Sequence, residues 1–167
     1  MDDTSEAAEE LAAMAREVID GNRYLVLGTV DEAGHPRVSP VYFGHDGYRD
    51  FYWVSRPDSL HSVNVEQRPA VNAVVYDSSV EVGDGRAVYV TGAARRVDDT
   101  ELADRCEVAF RPHLGGRRFR PAELSGDGTL RLYLLSADVW EVHVNGDDPR
   151  FGTGRDRRQK VWPADTA

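Results

Sequence analysis

The chain has 167 residues, 41% of them apolar and 9% aromatic, the size and composition of one globular domain with a single main core. No apolar run approaches the roughly 20 residues that span a bilayer, and a net charge of −9 sets the average field against a phosphate backbone, so neither a membrane nor a nucleic acid is an expected partner. A lone cysteine, Cys106, excludes an intrachain disulfide and any cysteine-rich metal site, which suits a reducing cytosol.

Residues 4–20 read as one amphipathic helix within an N-terminal segment 1–21. Thr4 is placed as its N-cap, acids fill its first turns and Gly21 ends it. Ala7, Leu11, Met14 and Val18 share its apolar face. Asp2, Asp3, Glu6, Glu9 and Glu10 precede the first basic residue, the reverse of a secretory or mitochondrial leader, so the expected start is here and the expected location cytoplasmic.

From Tyr24 the texture changes to β-branched and aromatic runs punctuated by Gly, Pro and Asp: 24–30, 37–43, 50–55, 70–77, 87–97, 129–136 and 138–144. The short glycine-containing links 31–35 and 45–49 predict antiparallel hairpins joining the first three strands, since parallel crossovers need longer connections. Helices are expected over Asp58–Gln67 and Asp98–Phe110, the second with Leu102, Cys106, Ala109 and Phe110 on one face. The segment 113–128 and the tail 145–167 read as loops. They carry the arginine clusters, Arg111, Arg117, Arg118 and Arg120 in or beside the first, and Arg150, Arg155, Arg157 and Arg158 with Lys160 in the second. The fold class that follows is mainly β with helices (α+β), one domain over 1–167, built as a six- to seven-stranded antiparallel barrel with peripheral helices.

The run FYWVSRPDSLHSVN, residues 51–64, has the layout of an anion site. A strand ends at Ser55 and a helix starts a few residues on, where free backbone N–H groups and the helix dipole favour negative charge. Ser55, Ser59 and Ser62 supply hydroxyls, and Arg56 can grip a phosphate through two nitrogens. In PRVSPVYFG, residues 36–44, Pro40 sits inside an apolar strand and leaves backbone there for a ligand instead of a neighbouring strand.

With these elements in this order, LVLGTVDEAGHPRVSPVYF, FYWVSRPDSLHSVNVEQRPAVNAVVYD and RAVYVTGAARRV, the chain resembles the pyridoxamine 5'-phosphate oxidase-like split-barrel family over residues 8–144. The resemblance implies a homodimer holding FMN in a groove between subunits, and a flavin oxidoreductase acting on a small molecule. Residues Arg37, Val38, Ser39, Pro40, Val41 and Tyr42 would line the isoalloxazine ring, with backbone at Ser39 and Val41 bonding its polar edge and Trp53 and Val54 supporting it. Ser55, Arg56, Ser59 and His61 would take the phosphate, and Asn64 would close the site.

Many members of the family carry lysine where this chain has His61, and an imidazole with an ordinary pKa of about 6.5 is only partly cationic at neutral pH; weaker or pH-dependent phosphate binding is the expectation. The arginine-rich ending with an Arg-Leu-x-Pro pattern that marks the vitamin B6 oxidase is replaced by VWPADTA, so that activity is not expected. Two other readings share the fold: a reductase using a deazaflavin, whose acidic tail would suit residues 117–120, and a non-catalytic flavin- or haem-binding protein with His61, His113 or His143 as the axial ligand. The five histidines contain no i, i+4 pair and no His-x-His, so no metal site is expected, and no G-x-S-x-G surrounds any serine. The residues alone name no catalytic group.

Overall fold

The computed structural model describes residues 3–110 and 117–161. Arg111, His113 and the ending from Trp162 lie outside the described residues, as does the side chain of Thr4. In chain order the elements are α1 (Asp3–Gly21), β1 (Tyr24–Val30), β2 (Pro36–Tyr42), β3 (Gly44–Asp46), β4 (Asp50–Ser55), α2 (Leu60–Gln67), β5 (Ala70–Tyr76), β6 (Ala87–Arg96), α3 (Leu102–Ala109), the 3-10 turn Pro121–Glu123, β7 (Arg131–Val144) and β8 (Arg157–Val161).

All of these strands are antiparallel and join one curled sheet in the order β2-β1-β5-β6-β7-β4-β3, with β8 paired to the later half of β7. The two ends of that path, β2 and β3, are consecutive in the chain and separated only by Phe43, which is fully buried. The chain therefore crosses from one end of the sheet to the other in a single residue, and that crossing curls the sheet into the expected split barrel.

The alternation of buried and exposed residues along β1, β5 and β6 aims Leu25, Leu27, Val71, Ala73, Val75, Val88 and Val90 inward, where they meet Trp53, Tyr133, Leu135 and Trp140. Leu11, Ala15, Val18 and Ile19 of α1 belong to the same core: the apolar face read from the helical period packs on the barrel. Leu132 and Leu134 of β7 point the other way. With Tyr52, Leu102, Cys106, Ala109 and Phe110 they form a second core beneath α3, so the run LYLL is buried on both faces.

Four expectations are corrected. The strand read as 37–43 pairs with β1 alone and does not form a hairpin with 50–55; β3 does that instead, meeting β4 through the turn around Gly47 and Tyr48. The segments 129–136 and 138–144 are one strand, bent where the register shifts between Thr91 and Gly92 opposite Ala137 to Val139, the local effect of one extra residue. The tail after Asn145 is not all loop, because Arg157–Val161 pairs with Trp140–Val144. Both internal helices start later than read, at Leu60 and Leu102, because the acids before them sit in turns closed by Ser59 N–H to the Arg56 carbonyl and Glu101 N–H to the Asp98 carbonyl. Among the described residues no helix is long and apolar enough to cross a membrane.

Candidate functional site

The end of β4 and the start of α2 converge beside β2, the terminal strand of the sheet. Among the described residues only β1 is bonded along its length, and alternate residues of such an edge strand turn their N–H and C=O groups away from the sheet. Helix α2 is fixed against β1 by a buried hydrogen bond, Asn64 Nδ2 to Thr29 Oγ1 at 3.0 Å. Asn64 therefore anchors the helix instead of reaching its mouth, and Thr29, unmarked in the sequence, is its partner.

At the mouth, three side chains meet around one point. Ser55 Oγ lies 2.8 Å from His61 Nε2 and 3.0 Å from Ser59 Oγ, and His61 Nε2 lies 3.2 Å from Ser59 Oγ. Ser59 is the N-cap residue of α2, yet its side chain makes no capping bond. It donates within 2.8 Å of the Arg56 carbonyl and of Ser62 Oγ. The amides of the first helical turn are thus left without their usual hydroxyl acceptor. Hydroxyls, an imidazole nitrogen and uncapped amides make a set of small polar donors suited to a phosphate.

Two charges modify this picture. Arg56 donates to both carboxylate oxygens of Asp58, at 2.9 and 3.0 Å, and both side chains are about two-thirds exposed; an exposed pair of this kind is worth little, so Arg56 can change partner. His61 is half-buried, and burial pushes its pKa below 6.5, leaving the ring neutral at neutral pH. A lysine there would bring fixed charge; His61 brings one N–H.

The remaining sequence-derived positions divide by face. Val38 is 74% exposed and Pro40 is exposed, both on the outward face of the edge strand, while half-buried Ser39 lies on the opposite face with Val41. The bonds from Asp31 N–H to the His35 carbonyl and from Phe43 N–H to the Arg23 carbonyl set the register of β1 and β2 so that the backbones of Ser39 and Val41 bond β1, which corrects the expectation that they bond a ring. The groups left at the open edge are the N–H and C=O of Val38 and the carbonyl of Pro40. Val41 is buried in the barrel core. Arg37 is turned onto Asp31, its Nε and Nη2 both 2.9 Å from Oδ2. That carboxyl also accepts the His35 N–H at 2.9 Å, and chiefly through that bond its pKa is held below the usual range. The indole of Trp53 lies inside the barrel, stacked on Tyr133 with centroids 5.6 Å apart, while Val54 packs toward the second core. The arginines of 117–120 do not gather at this mouth: Arg117 and Arg120 pair with Glu123, and Arg117 covers the Phe119 ring.

Of the histidines considered for haem, His61 Nε2 is shared with the two serines and His143 Nε2 lies 2.8 Å from Asn145 Oδ1. His113 is outside the described residues. No group of three or more His, Cys, Asp or Glu arranged for a metal occurs among the described residues, and the thiol of Cys106 is buried, which raises its pKa.

Sequence reasoning missed Ser62 as a buried group, Tyr133, Asp31 and Thr29. Ser62 and Asp31 stood beside recognised motifs; Tyr133 is silent in sequence, one aromatic in a buried strand.

The pattern of the pyridoxamine 5'-phosphate oxidase family matches residues 11–143, and no curated protein matches in sequence. Among solved structures, the chain is similar to a heme binding protein from Mycobacterium smegmatis (TM-score 0.65, 19% identity, 90% of this chain and 57% of that one). It is also similar to general stress protein 26 from Bacillus anthracis (0.58, 22%, 80% and 93%) and to an F420 reductase (0.56, 19%, 75% and 94%). The chain spans little more than half the length of the heme binding protein. Likeness at these identities is likeness of fold.

Proposed function

From the premise that this chain belongs to the pyridoxamine 5'-phosphate oxidase family, we propose that it is an FMN-binding oxidoreductase that passes hydride to a small molecule. The observation that carries the reading is the convergence of Ser55, Ser59 and His61 within 3.2 Å of one another at an uncapped helix start, beside an edge strand. Such a set fits a terminal phosphate, and the exposed strand fits a flat ring with polar and apolar edges.

FMN, when bound, supplies hydride transfer; the protein supplies position, charge and exclusion of water. Ser55, Ser59 and His61 would donate to the phosphate, with Arg56 leaving Asp58 to join them. The backbone N–H and C=O of Val38 and the carbonyl of Pro40, which face away from β1, would bond the ring, the side chains of Val38 and Pro40 would cover it, and Trp53 and Tyr133 stiffen the strands beneath. Haem is the weaker reading, because the Nε2 atoms of His61 and His143 are already hydrogen-bonded.

A dimer completes the proposal. Tyr24 and Tyr76 are 59% and 48% exposed and stand on the outer face of adjacent strands β1 and β5, with Val38 outward on the neighbouring strand. A second copy of the chain would cover them, and light scattering is expected to give the mass of two chains.

The test is titration of apo-protein with FMN and, in parallel, riboflavin, read by quenching of flavin fluorescence. Saturation at one FMN per subunit, at least tenfold tighter than riboflavin, supports the reading. Equal affinity or none overturns it, and tighter retention of a deazaflavin, or a Soret band after haem addition, reassigns the groove.

His61 adds a pH signature. Its imidazole is charged only below a pKa that burial has lowered from 6.5, so its pull on phosphate grows as pH falls. The phosphate itself, with a second pKa of about 6, loses charge over the same range. His61→Lys separates the two, since lysine stays charged throughout. The variant is expected to bind FMN about tenfold tighter than wild type at pH 8, a charge-assisted bond replacing a neutral one, and the ratio should shrink toward pH 5.5. A ratio independent of pH would show that His61 does not touch the phosphate. In the apo-protein the sign is opposite: the unfolded chain takes the proton first, so the contribution of His61 to stability is lost as pH falls below 6.5.

A further inference from the structure

Helix α2 docks on the barrel with little apolar surface. Its buried residues are Ser62, Asn64 and Val65, one apolar side chain against two polar ones, while Leu60 and Val63 are exposed. A buried valine holds the helix down without fixing its direction, because apolar contact is non-directional. The directional contact is the bond from Asn64 Nδ2 to Thr29 Oγ1, 3.0 Å long, between two buried residues.

The place of that bond along α2 bears on the anion site. His61 lies three positions before Asn64, one turn toward the mouth on the same side of the helix, about 4.5 Å along its axis. Ser59 stands two positions further on. Both must meet Ser55, which belongs to β4, and they do so closely: Ser55 Oγ is 2.8 Å from His61 Nε2 and 3.0 Å from Ser59 Oγ. Hydrogen bonds are lost beyond about 3.5 Å, so a slip of α2 by about 1 Å dissolves the cluster.

Thr29 also reaches the other half of the candidate site. The register of β1 and β2 sets it opposite Arg37, and the bonds at the two ends of the pairing make Thr29 and Arg37 one of the couples whose backbones bond each other. Val38, with its N–H and C=O at the open edge, is the next residue. Thr29 therefore grips strand β2 through its backbone and helix α2 through its side chain.

We propose that Thr29 is a positioning residue that sets the span between the open edge of β2 and the mouth of α2, and so governs the preference for FMN over riboflavin. The inference rests on the phosphate reading of the site. FMN must bridge both halves through a ribityl chain of limited reach, whereas riboflavin, without a phosphate, needs only the β2 half. Thr29→Val keeps the volume and the branched Cβ that suits a strand and deletes the acceptor. Asn64 Nδ2 is then buried without a partner, a costly state that α2 relieves by lifting Asn64 toward water, and the mouth moves with it.

The experiment titrates apo-protein with FMN and with riboflavin, read by quenching of flavin fluorescence, at a temperature well below the melting of every variant. Thr29→Val is expected to weaken FMN about three- to tenfold, the worth of one buried hydrogen bond, with riboflavin as in wild type. Thr29→Ser, which retains a hydroxyl, should bind FMN as wild type does. Asn64→Ala removes the donor instead and should give a loss of the same size, and the double variant no more than either alone, because both cut one bond. Should Thr29→Val fail to fold, Asn64→Ala decides by the same readout. Unchanged FMN affinity in Thr29→Val or Asn64→Ala, equal losses for FMN and riboflavin, a loss in Thr29→Ser as large as in Thr29→Val, or additive losses in the double variant would overturn the proposal while leaving the phosphate site in place. Wild-type protein that binds FMN no tighter than riboflavin would instead remove the phosphate site itself, and the inference with it.

Discussion

Ser59→Asp is expected to abolish the preference for FMN over riboflavin while leaving the protein folded. Aspartate is as good an N-cap as serine, and negative charge in the first turn of a helix is favoured by its dipole, so α2 should start where it does now. The new carboxylate would stand where Ser59 Oγ stands, about 3 Å from Ser55 Oγ and His61 Nε2. It would take for itself the donors a phosphate needs and repel the phosphate's own charge. Loss of the hydroxyl together with that repulsion should weaken FMN at least a hundredfold, roughly 2.7 kcal/mol or more, with riboflavin changed by less than threefold. Parallel titrations read both numbers. A variant that keeps a tenfold preference for FMN would place the phosphate elsewhere. Ser59→Ala is the milder companion: it removes one donor without adding charge, and about tenfold is expected.

The site was legible because its chemistry is local. Ser55, Arg56, Ser59 and His61 lie within seven residues, and a strand end followed by a helix start brings such neighbours together whatever the rest of the chain does. The structure adds what local sequence cannot carry. Arg56 is held by Asp58, Arg37 by Asp31, and Asn64 is spent on Thr29, a contact across thirty-five positions.

The fold divides in the same way. Alternating apolar residues fixed β1, β5 and β6 to within a residue, because each buries one face, and the unbroken aromatic run of β4 marked its bounds although Phe51, Tyr52 and Trp53 bury both faces. The failures lie where one signal serves two states. Phe43 continues the apolar pattern of β2 yet belongs to the crossing into β3, so a pattern that looks like one strand feeding a hairpin turns out to leave one sheet end and enter the other. RRQKV of β8 carries three charges in five residues and reads as solvated loop; it pairs because β7 is long enough to offer it an edge, and Arg158 covers the Tyr89 ring at 3.6 Å. The bend in β7 read as a break because a bulge and a turn both interrupt the alternation.

That crossing into β3 is also where the fold is least tolerant. Gly44→Ala is expected to destabilise the protein by about 3 kcal/mol, toward the upper end of overpacking effects and a large share of an ordinary domain's margin. Gly44 is buried, and a Cβ built there would meet the backbone carbonyl oxygen of Ala109, at the end of α3, far inside the 3.0 Å that real Cβ atoms respect. Neither partner yields easily: β3 is tied to β4, and Ala109 is held by the second core around Leu102, Cys106 and Phe110. Relief requires α3 to lift from the sheet or β3 to leave β4, and either opens the barrel where its two ends meet. Gly92→Ala should behave alike, its Cβ overlapping the Ser136 carbonyl at the bulge. Gly85 has nothing within 4 Å, and Gly85→Ala should leave stability within about 0.5 kcal/mol of wild type. Urea unfolding of the three variants measures the ordering. Gly44→Ala as stable as Gly85→Ala would mean that α3 rides loosely on β3 and that barrel closure does not depend on their contact.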